Sequence, residues 1–293
     1  MNMEESMKRS LRSVLYVPGI NEKAMRKAAT LPVDAIVLDL EDSVLHERKS
    51  EARDTLSRFL TANRSGFHGK YVVVRVNGRD TEFWDDDLDM VTPARPDAVL
   101  LPKVIDPDIP RNAREKLNKG GSESTAIWCM IENPLGILKL ESIVENGRAD
   151  GVECLVLGTN DLIKDSDIDP GEGRKNLIPW LAHVTLVAKS FNIQVIDGVL
   201  NNIHDLDALK AESEVAKAMG MSGKTIIHPL QVETVNRCFS PSVEELDHWR
   251  RIVHAYSLPE NVGKGVINLD GVMVERLHLE IANRQLRDYG SDV

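Results

Sequence analysis

Eight short runs of apolar, often β-branched residues recur along the chain, and most are followed by a longer segment with charged and apolar residues at helical spacing. Runs such as AIVL and CLVL are apolar at every position, which indicates strands buried on both faces, as in a parallel sheet covered by helices. Eight βα units in 293 residues predict an α/β fold, a closed (βα)₈ TIM barrel, which typically takes about 250 residues. The predicted strands are residues 14–17, 35–38, 71–76, 98–101, 126–131, 152–157, 193–196 and 225–227.

The connecting segments support this architecture over a doubly wound open sheet. Residues 22–31, 47–60, 135–145, 177–190 and 205–219 have amphipathic helical patterns. No G-x-G-x-x-G follows the first strand and no P-loop occurs, so the usual nucleotide-binding signatures of open sheets are missing from the sequence. We therefore assign residues 1–240 to the barrel and residues 241–293 to a C-terminal helical extension.

The extension is predicted to contain a helix over 242–255, a glycine-rich turn and a last helix over 275–288. A segment this short cannot bury a core of its own. We expect it to pack on the barrel or on a neighbouring subunit.

Composition excludes several classes of partner. The formal charge of −10 and the lack of a basic stripe exclude nucleic acid, so an anionic ligand must be held by local cations. No signal peptide and no apolar run of membrane-spanning length are present, which predicts a cytoplasmic protein without a membrane partner. The three cysteines are far apart and lack zinc-ligand spacing.

Polar residues follow each predicted strand, at the face of a TIM barrel where active sites are built. Converging carboxylates repel one another unless a cation neutralises them, and all-oxygen ligation favours Mg²⁺ or Mn²⁺ over zinc. Each acid on its own is equally well explained as a helix N-cap. The carboxylates expected to converge are Asp39, Glu41, Asp42, Glu132, Asp161 and Asp197.

Nine blocks of the sequence resemble, in order and spacing, the citrate lyase β-subunit-like proteins of the HpcH/HpaI aldolase and citrate lyase superfamily. This superfamily includes malyl-CoA and citramalyl-CoA lyases, and the resemblance extends from about Leu11 to Arg287. The blocks are SVLYVPGINEKAMRKA, DAIVLDLEDSV, VVVRVNGRDTEFWDDDL, DAVLLPK, MIENPLG, LVLGTNDL, VIDGV, GKTIIHP and NLDGVMVE.

The resemblance implies a Mg²⁺ site formed by Glu132 of the "IE" block and Asp161 of the "GT-D" block. Arg75 of the "RVN" block would hold the substrate's carboxylate or keto oxygen beside the metal and Glu132, which makes it a candidate catalytic residue. The acids that would order metal-bound water are Asp39, Glu41 and Asp42.

The same resemblance implies where the rest of an acyl-CoA substrate binds. Gly158, Thr159 and Asn160 would receive the distal carboxylate. Lys23 or Lys27, after the first strand, would lie near the phosphates of CoA.

One block departs from the family in a way that bears on the reaction. Most members carry a catalytic aspartate in "DG-MVD", delivered by the C-terminal segment of an adjacent subunit, whereas this chain has Glu275. Together with GTNDL, this resembles the branch that contains a malyl-CoA thioesterase. The resemblance also implies a homo-oligomer, either a trimer or a hexamer.

Three hypotheses for function follow. The first is a stand-alone Mg²⁺-dependent enzyme that cleaves a malyl-, β-methylmalyl-, citramalyl- or citryl-CoA thioester, releasing a keto acid by carbon–carbon lysis or free CoA by hydrolysis. The second is a citrate lyase β subunit that acts on a carrier-protein thioester within a complex. The third is a catalytically silent homologue.

Overall fold

Eight parallel strands form a closed barrel in the computed structural model, which describes residues 10–289. They pair in sequence order, and β1 closes the ring against β8. The predicted (βα)₈ fold is confirmed, with strand bounds within one or two residues of those expected. The strands are β1 (Ser13–Pro18), β2 (Ala35–Asp39), β3 (Tyr71–Arg75), β4 (Ala98–Leu101), β5 (Ala126–Ile131), β6 (Val152–Leu157), β7 (Gln194–Asp197) and β8 (Gly223–Ile226).

The first three strands end at the same level of the barrel. Pro18 pairs with Asp39, and Asp39 pairs with Arg75. Because parallel strands in a barrel present their carboxyl ends on one face, this register brings the acid and the arginine together.

Helices cover the outside of the barrel. Predicted helix 135–145 is divided into α5 and α6, since the backbone at Lys139 leaves the helical region. Sequence patterns did not locate α3, which contains Pro93, nor α4, α7 and α10. The helices are α1 (Glu22–Thr30), α2 (Lys49–Asn63), α3 (Trp84–Ala94), α4 (Asp108–Lys119), α5 (Pro134–Leu138), α6 (Leu140–Gly147), α7 (Thr159–Ser166), α8 (Ile178–Ser190), α9 (Leu206–Ala218) and α10 (Val232–Phe239).

Alternate residues of β1 to β7 fill two separate cores. Val14, Val37 and Val73 belong to the layer inside the barrel, where Trp128 is the largest fully buried side chain. The residues between them, such as Leu15 and Ile36, pack against the helices in a second apolar cluster. Burial on both faces explains the continuously apolar strand sequences.

The described residues from Ser240 to Tyr289 belong to a second compact unit, distinct from Leu11–Phe239. It contains α11 (Val243–Ser257), a hairpin of β9 (Val266–Leu269) and β10 (Val272–Glu275), and α12 (Arg276–Tyr289). The Tyr256 hydroxyl donates a 2.8 Å hydrogen bond to the carbonyl of Val274 and so ties α11 to the hairpin.

Both predicted helices of the extension are present, and a β-hairpin lies between them where a glycine-rich turn was expected. The turn residues Asp270 and Gly271 have φ of 52° and 85°. Two consecutive residues with positive φ are what a two-residue hairpin turn requires, and Asp-Gly is a favoured pair for it. Glu275 consequently ends a strand and does not begin the last helix. Across residues 10–289, the helices lack the length and apolar character needed to cross a membrane.

Candidate active site

Arg75 and Asp39 form a buried ion pair at the carboxyl ends of β2 and β3. Nε and Nη2 of Arg75 donate to Oδ1 and Oδ2 of Asp39, both at 2.7 Å. Burial alone would raise the pKa of Asp39, but the charge and hydrogen bonds of Arg75 outweigh burial and hold that pKa below its usual range. The pair is therefore charged on both sides.

The remaining edge of the guanidinium faces two further acids. Nη1 of Arg75 lies 2.9 Å from Oε2 of Glu41 and 3.2 Å from Oδ2 of Asp42. The guanidinium also stacks over the ring of Tyr16, with its central carbon 5.0 Å from the ring centroid. The Nε–Nη2 edge of Arg75 is thus occupied by Asp39, and Nη1 faces Glu41 and Asp42.

Two side chains hold the backbone of residues 40 and 41, which follow β2. The buried ammonium of Lys49 donates to the carbonyl oxygens of Leu40, at 2.8 Å, and Glu41, at 2.6 Å. The Asn77 amide donates to the same Leu40 oxygen at 3.1 Å. Because the backbone of Leu40 and Glu41 is held both by the start of α2 and by the residue that follows Val76, the carboxylates that it carries have little freedom to move apart.

Glu132 follows β5 directly and is buried. Its Oε1 accepts a 2.6 Å hydrogen bond from the backbone N–H of Lys103, and no further hydrogen bond reaches its carboxylate within residues 10–289. Burial, then the negative charge of Glu41 and of Asp161, raises the pKa of Glu132 to about 8. The site therefore has an excess of negative charge, which a cation would relieve.

Lys103 adopts a left-handed backbone conformation with φ of 53° to direct its N–H at Glu132. This conformation costs a non-glycine residue about 1 kcal/mol, so the surrounding structure must hold it in place. The Lys103 ammonium lies 3.2 Å from Oε1 of Glu41. Lys103 thus contacts both acids, one through its backbone and one through its side chain.

The segment after β6 places Asp161 beside Glu132. Gly158 precedes α7 and packs so closely that a β-carbon there would lie 2.4 Å from Cβ of Glu132. Thr159 is buried, and Asp161 lies in the first turn of α7, where the helix dipole stabilises a carboxylate. The Asn160 amide exchanges hydrogen bonds of 2.9 and 3.1 Å with the Asn201 amide. The close approach of the backbone at position 158 to Cβ of Glu132 leaves room for glycine only.

The acids present fit a hard cation that keeps several water ligands. Among residues 10–289, no three Asp, Glu, His or Cys side chains form a metal-binding group. Mg²⁺ is typically held by one or two carboxylates and completes its shell with water and substrate oxygens. Glu132 and Asp161 provide that donor set.

Asp197 does not join the site as expected. Its carboxylate accepts bonds of 2.7 and 2.6 Å from Arg174 and of 2.8 Å from Lys224, and all three side chains are buried. These two cations neutralise Asp197, so it stabilises the barrel and is unavailable to a ligand. A lysine inside a strand, as in GKTI, was the one sequence sign of such a partner.

Three other candidates belong to other elements of the structure. Lys23 and Lys27 are exposed on α1. Glu275 belongs to the other compact unit, where its backbone N–H donates to Nδ1 of His278 at 2.9 Å. The sequence pattern places Lys103 at the end of the fourth strand without giving it a role, and it does not identify Lys49 as a site residue.

Known proteins resemble this chain in sequence over most of its length. A model of the HpcH/HpaI aldolase/citrate lyase family matches residues 12–229. A (3S)-malyl-CoA thioesterase of Cereibacter sphaeroides is 37% identical over 286 residues, which cover 94% of this chain and 93% of the relative. The mitochondrial citramalyl-CoA lyase of Mus musculus is 30% identical, with 90% and 81% covered.

A solved structure has the same fold over nearly the whole chain. The crystal structure of CitE from Mycobacterium tuberculosis, in complex with magnesium, acetoacetate and coenzyme A, matches with a TM-score of 0.78. The match covers 96% of this chain and 98% of CitE at 24% identity.

Proposed function

Because the chain belongs to the HpcH/HpaI aldolase/citrate lyase family, we propose that it is a Mg²⁺-dependent enzyme that cleaves a small, carboxylated β-hydroxyacyl-CoA thioester. The observation that carries this proposal is the pair formed by Glu132 and Asp161 beside the Arg75 cluster. An uncompensated, buried glutamate with a pKa of about 8 is typical of a functional site. The magnesium and coenzyme A of the CitE structure support the same assignment.

The metal would be held by Glu132 and Asp161. Mg²⁺, or Mn²⁺ in its place, acts when bound as a Lewis acid toward hydroxyl, keto and carboxylate oxygens. Asp39, Glu41 and Asp42 would accept hydrogen bonds from water around the ion.

The chain's own cations and amides would hold the substrate. Arg75 is fixed by Asp39, so its positive charge is already in place when negative charge develops on the acyl group. Gly158, Thr159 and Asn160 precede Asp161. The Gly158 N–H donates to the carbonyl of Ile131 at 3.0 Å, so the N–H groups of Thr159 and Asn160 at the start of α7 would bind the distal carboxylate. Lys23 or Lys27 would contact the CoA phosphates.

Such a site could catalyse thioester hydrolysis or carbon–carbon lysis. We propose hydrolysis as the first candidate. The 37% identity with a malyl-CoA thioesterase supports it. Glu275 has one methylene more than aspartate, which would let its carboxylate activate a water beside the thioester carbonyl. Carbon–carbon lysis, which yields a keto acid and a shorter acyl-CoA, is the second candidate, supported by 30% identity with a citramalyl-CoA lyase.

We further propose that Glu275 acts on the barrel of a neighbouring subunit, with residues 241–293 as the lid. A trimer or hexamer would allow every barrel to receive one such segment.

One assay distinguishes the two reactions. Purified protein with Mg²⁺ is incubated with malyl-, β-methylmalyl-, citramalyl- and citryl-CoA, and free thiol and keto acid are measured in parallel. Thiol without keto acid indicates hydrolysis, and keto acid without thiol indicates lysis. Neither product from any substrate, at any Mg²⁺ or Mn²⁺ concentration, would contradict the proposed function.

A further inference from the structure

The buried carboxylate of Glu41 is neutralised by two nearby cations and not by hydrogen bonds. Its side chain is buried, and within residues 10–289 neither carboxylate oxygen receives a hydrogen bond of good geometry. Two cations lie near it, Arg75 at 2.9 Å and Lys103 at 3.2 Å. A buried carboxylate without such partners would strongly destabilise the fold.

Arg75 and Lys103 differ in how easily their side chains could move away from Glu41. The side chain of Arg75 is 9% exposed and is shared among three acids. The side chain of Lys103 is 51% exposed and makes one ion pair among the described residues. A lysine ammonium is a point charge on a flexible stem, so Lys103 can move into solvent without disturbing the packing.

The backbone of Lys103 is held in place independently of its ammonium. The N–H donates to Glu132 at 2.6 Å from a left-handed conformation, which fixes the residue beside the carboxylate that is proposed to hold the metal. The ammonium is therefore tethered at the edge of the cation site. A divalent ion entering there would repel it.

We propose that Lys103 is the exchangeable counter-cation of the metal-free site, and that a divalent cation at Glu132 and Asp161 displaces its ammonium from Glu41. This inference rests on the metal site of the proposed function. In the metal-free protein, the Lys103 ammonium stabilises the carboxylates. When a divalent ion binds, the ammonium competes with that ion for the same carboxylates.

The test measures Mg²⁺ binding directly, without substrate. Isothermal titration of wild type and Lys103→Met with MgCl₂ should show about tenfold tighter binding in the variant, because one competing positive charge is gone. Lys103→Gly should show the same gain and tolerates the backbone conformation, so it keeps the test informative if Lys103→Met folds poorly. Lys103→Arg retains the charge and should stay within about twofold of wild type.

Lys116→Met is the matched control, since Lys116 also forms ion pairs, with Asp85 and Asp89, on the outer helices. It should leave Mg²⁺ affinity unchanged. Thermal unfolding gives a second readout: in EDTA, Lys103→Met should melt below wild type, and saturating Mg²⁺ should close most of that difference.

Unchanged or weaker Mg²⁺ binding in both Lys103→Met and Lys103→Gly would overturn the inference while leaving the metal site intact. That result would mean that Lys103 serves only the substrate or the fold. A wild type that binds neither Mg²⁺ nor Mn²⁺ would overturn both this inference and the proposed function.

Discussion

Asp39 and Arg75 end neighbouring strands in the same register, and their side chains are joined by two parallel hydrogen bonds of 2.7 Å. A guanidinium matches a carboxylate in this bidentate geometry, whereas an ammonium does not. Asp39 holds the Nε–Nη2 edge of Arg75 in place, so that Nη1 points toward Glu41 and Asp42. The orientation of the charge in the site therefore depends on Asp39.

We expect Arg75→Lys to lose at least about thirtyfold in kcat/KM, or about 2 kcal/mol of transition-state stabilisation, because lysine cannot bond Asp39 twice and still reach Glu41. Steady-state kinetics with the substrate cleaved by wild type measures the loss. Arg64→Lys is the control, since Arg64 pairs with Asp97 ahead of β3 and should retain wild-type kinetics. An unchanged kcat/KM for Arg75→Lys would show that the guanidinium geometry is unimportant.

Glu132→Gln and Asp161→Asn should each abolish Mg²⁺-dependent turnover without unfolding the chain. Each substitution removes one hard anionic ligand and keeps the size of the side chain. Calorimetric titration with Mg²⁺, together with circular dichroism, separates loss of binding from loss of fold. Asp165→Asn, on the exposed side of α7, should behave as wild type. Full activity of either site variant at limiting Mg²⁺ would exclude that residue as a ligand.

Glu132 also predicts a pH dependence. Its pKa of about 8 in the fold exceeds its ordinary value of 4.5, so between these values the folded chain keeps a proton that the unfolded chain has lost. The metal-free protein should therefore lose stability as pH rises from about 4.5 to 8. Mg²⁺ must displace the same proton, so its affinity should increase as pH rises toward about 8 and then level off.

Thermal unfolding in EDTA and Mg²⁺ titration at pH 6, 7 and 8 measure both effects, and Glu132→Gln should remove the stability trend. Constant Mg²⁺ affinity across that range would mean that Glu132 is already ionised at pH 6.

The barrel and the polar strand ends were predictable because both follow from local sequence. Continuous apolar runs identify buried strands, and the residue after each run must lie at the active face. Glu132 and Asp161 follow from that rule together with the family resemblance. The rule fails for Asp197, whose partners Arg174 and Lys224 are distant in sequence and neutralise it.

Other features depend on information that the sequence patterns did not provide. The left-handed backbone at Lys103 is set by its contact with Glu132 and leaves no sign in residue type. The hairpin of residues 266–275 is a different case, because Asp270-Gly271 is a strong hairpin signal that the glycine-rich appearance of the segment obscured.

The last prediction concerns Glu275 and the sharing of sites between subunits. Glu275 ends β10, and its backbone is tied to His278 at the start of α12, so its position depends on the hairpin and the helix together. If this segment acts on a neighbouring barrel, dilution to monomers should abolish activity. Glu275→Ala should be inactive, and Glu280→Ala, on the exposed side of α12, should be active.

Mixing Glu275→Ala with Glu132→Gln subunits should restore part of the activity. In a mixed oligomer, an intact barrel from the first chain meets an intact Glu275 from the second, whereas each homo-oligomer has a defect in every site. Refolding or subunit exchange before the assay is needed so that the chains mix. Recovery to about a quarter of wild type is the most that a random dimeric pairing of one barrel with one lid can give. Activity that never exceeds the sum of the separate variants would place Glu275 and Glu132 in the same chain's site.

Glu275→Asp should shift the products from free thiol toward keto acid if the longer side chain is what directs the base to water. Full activity of Glu275→Ala on every substrate would remove Glu275 from the mechanism.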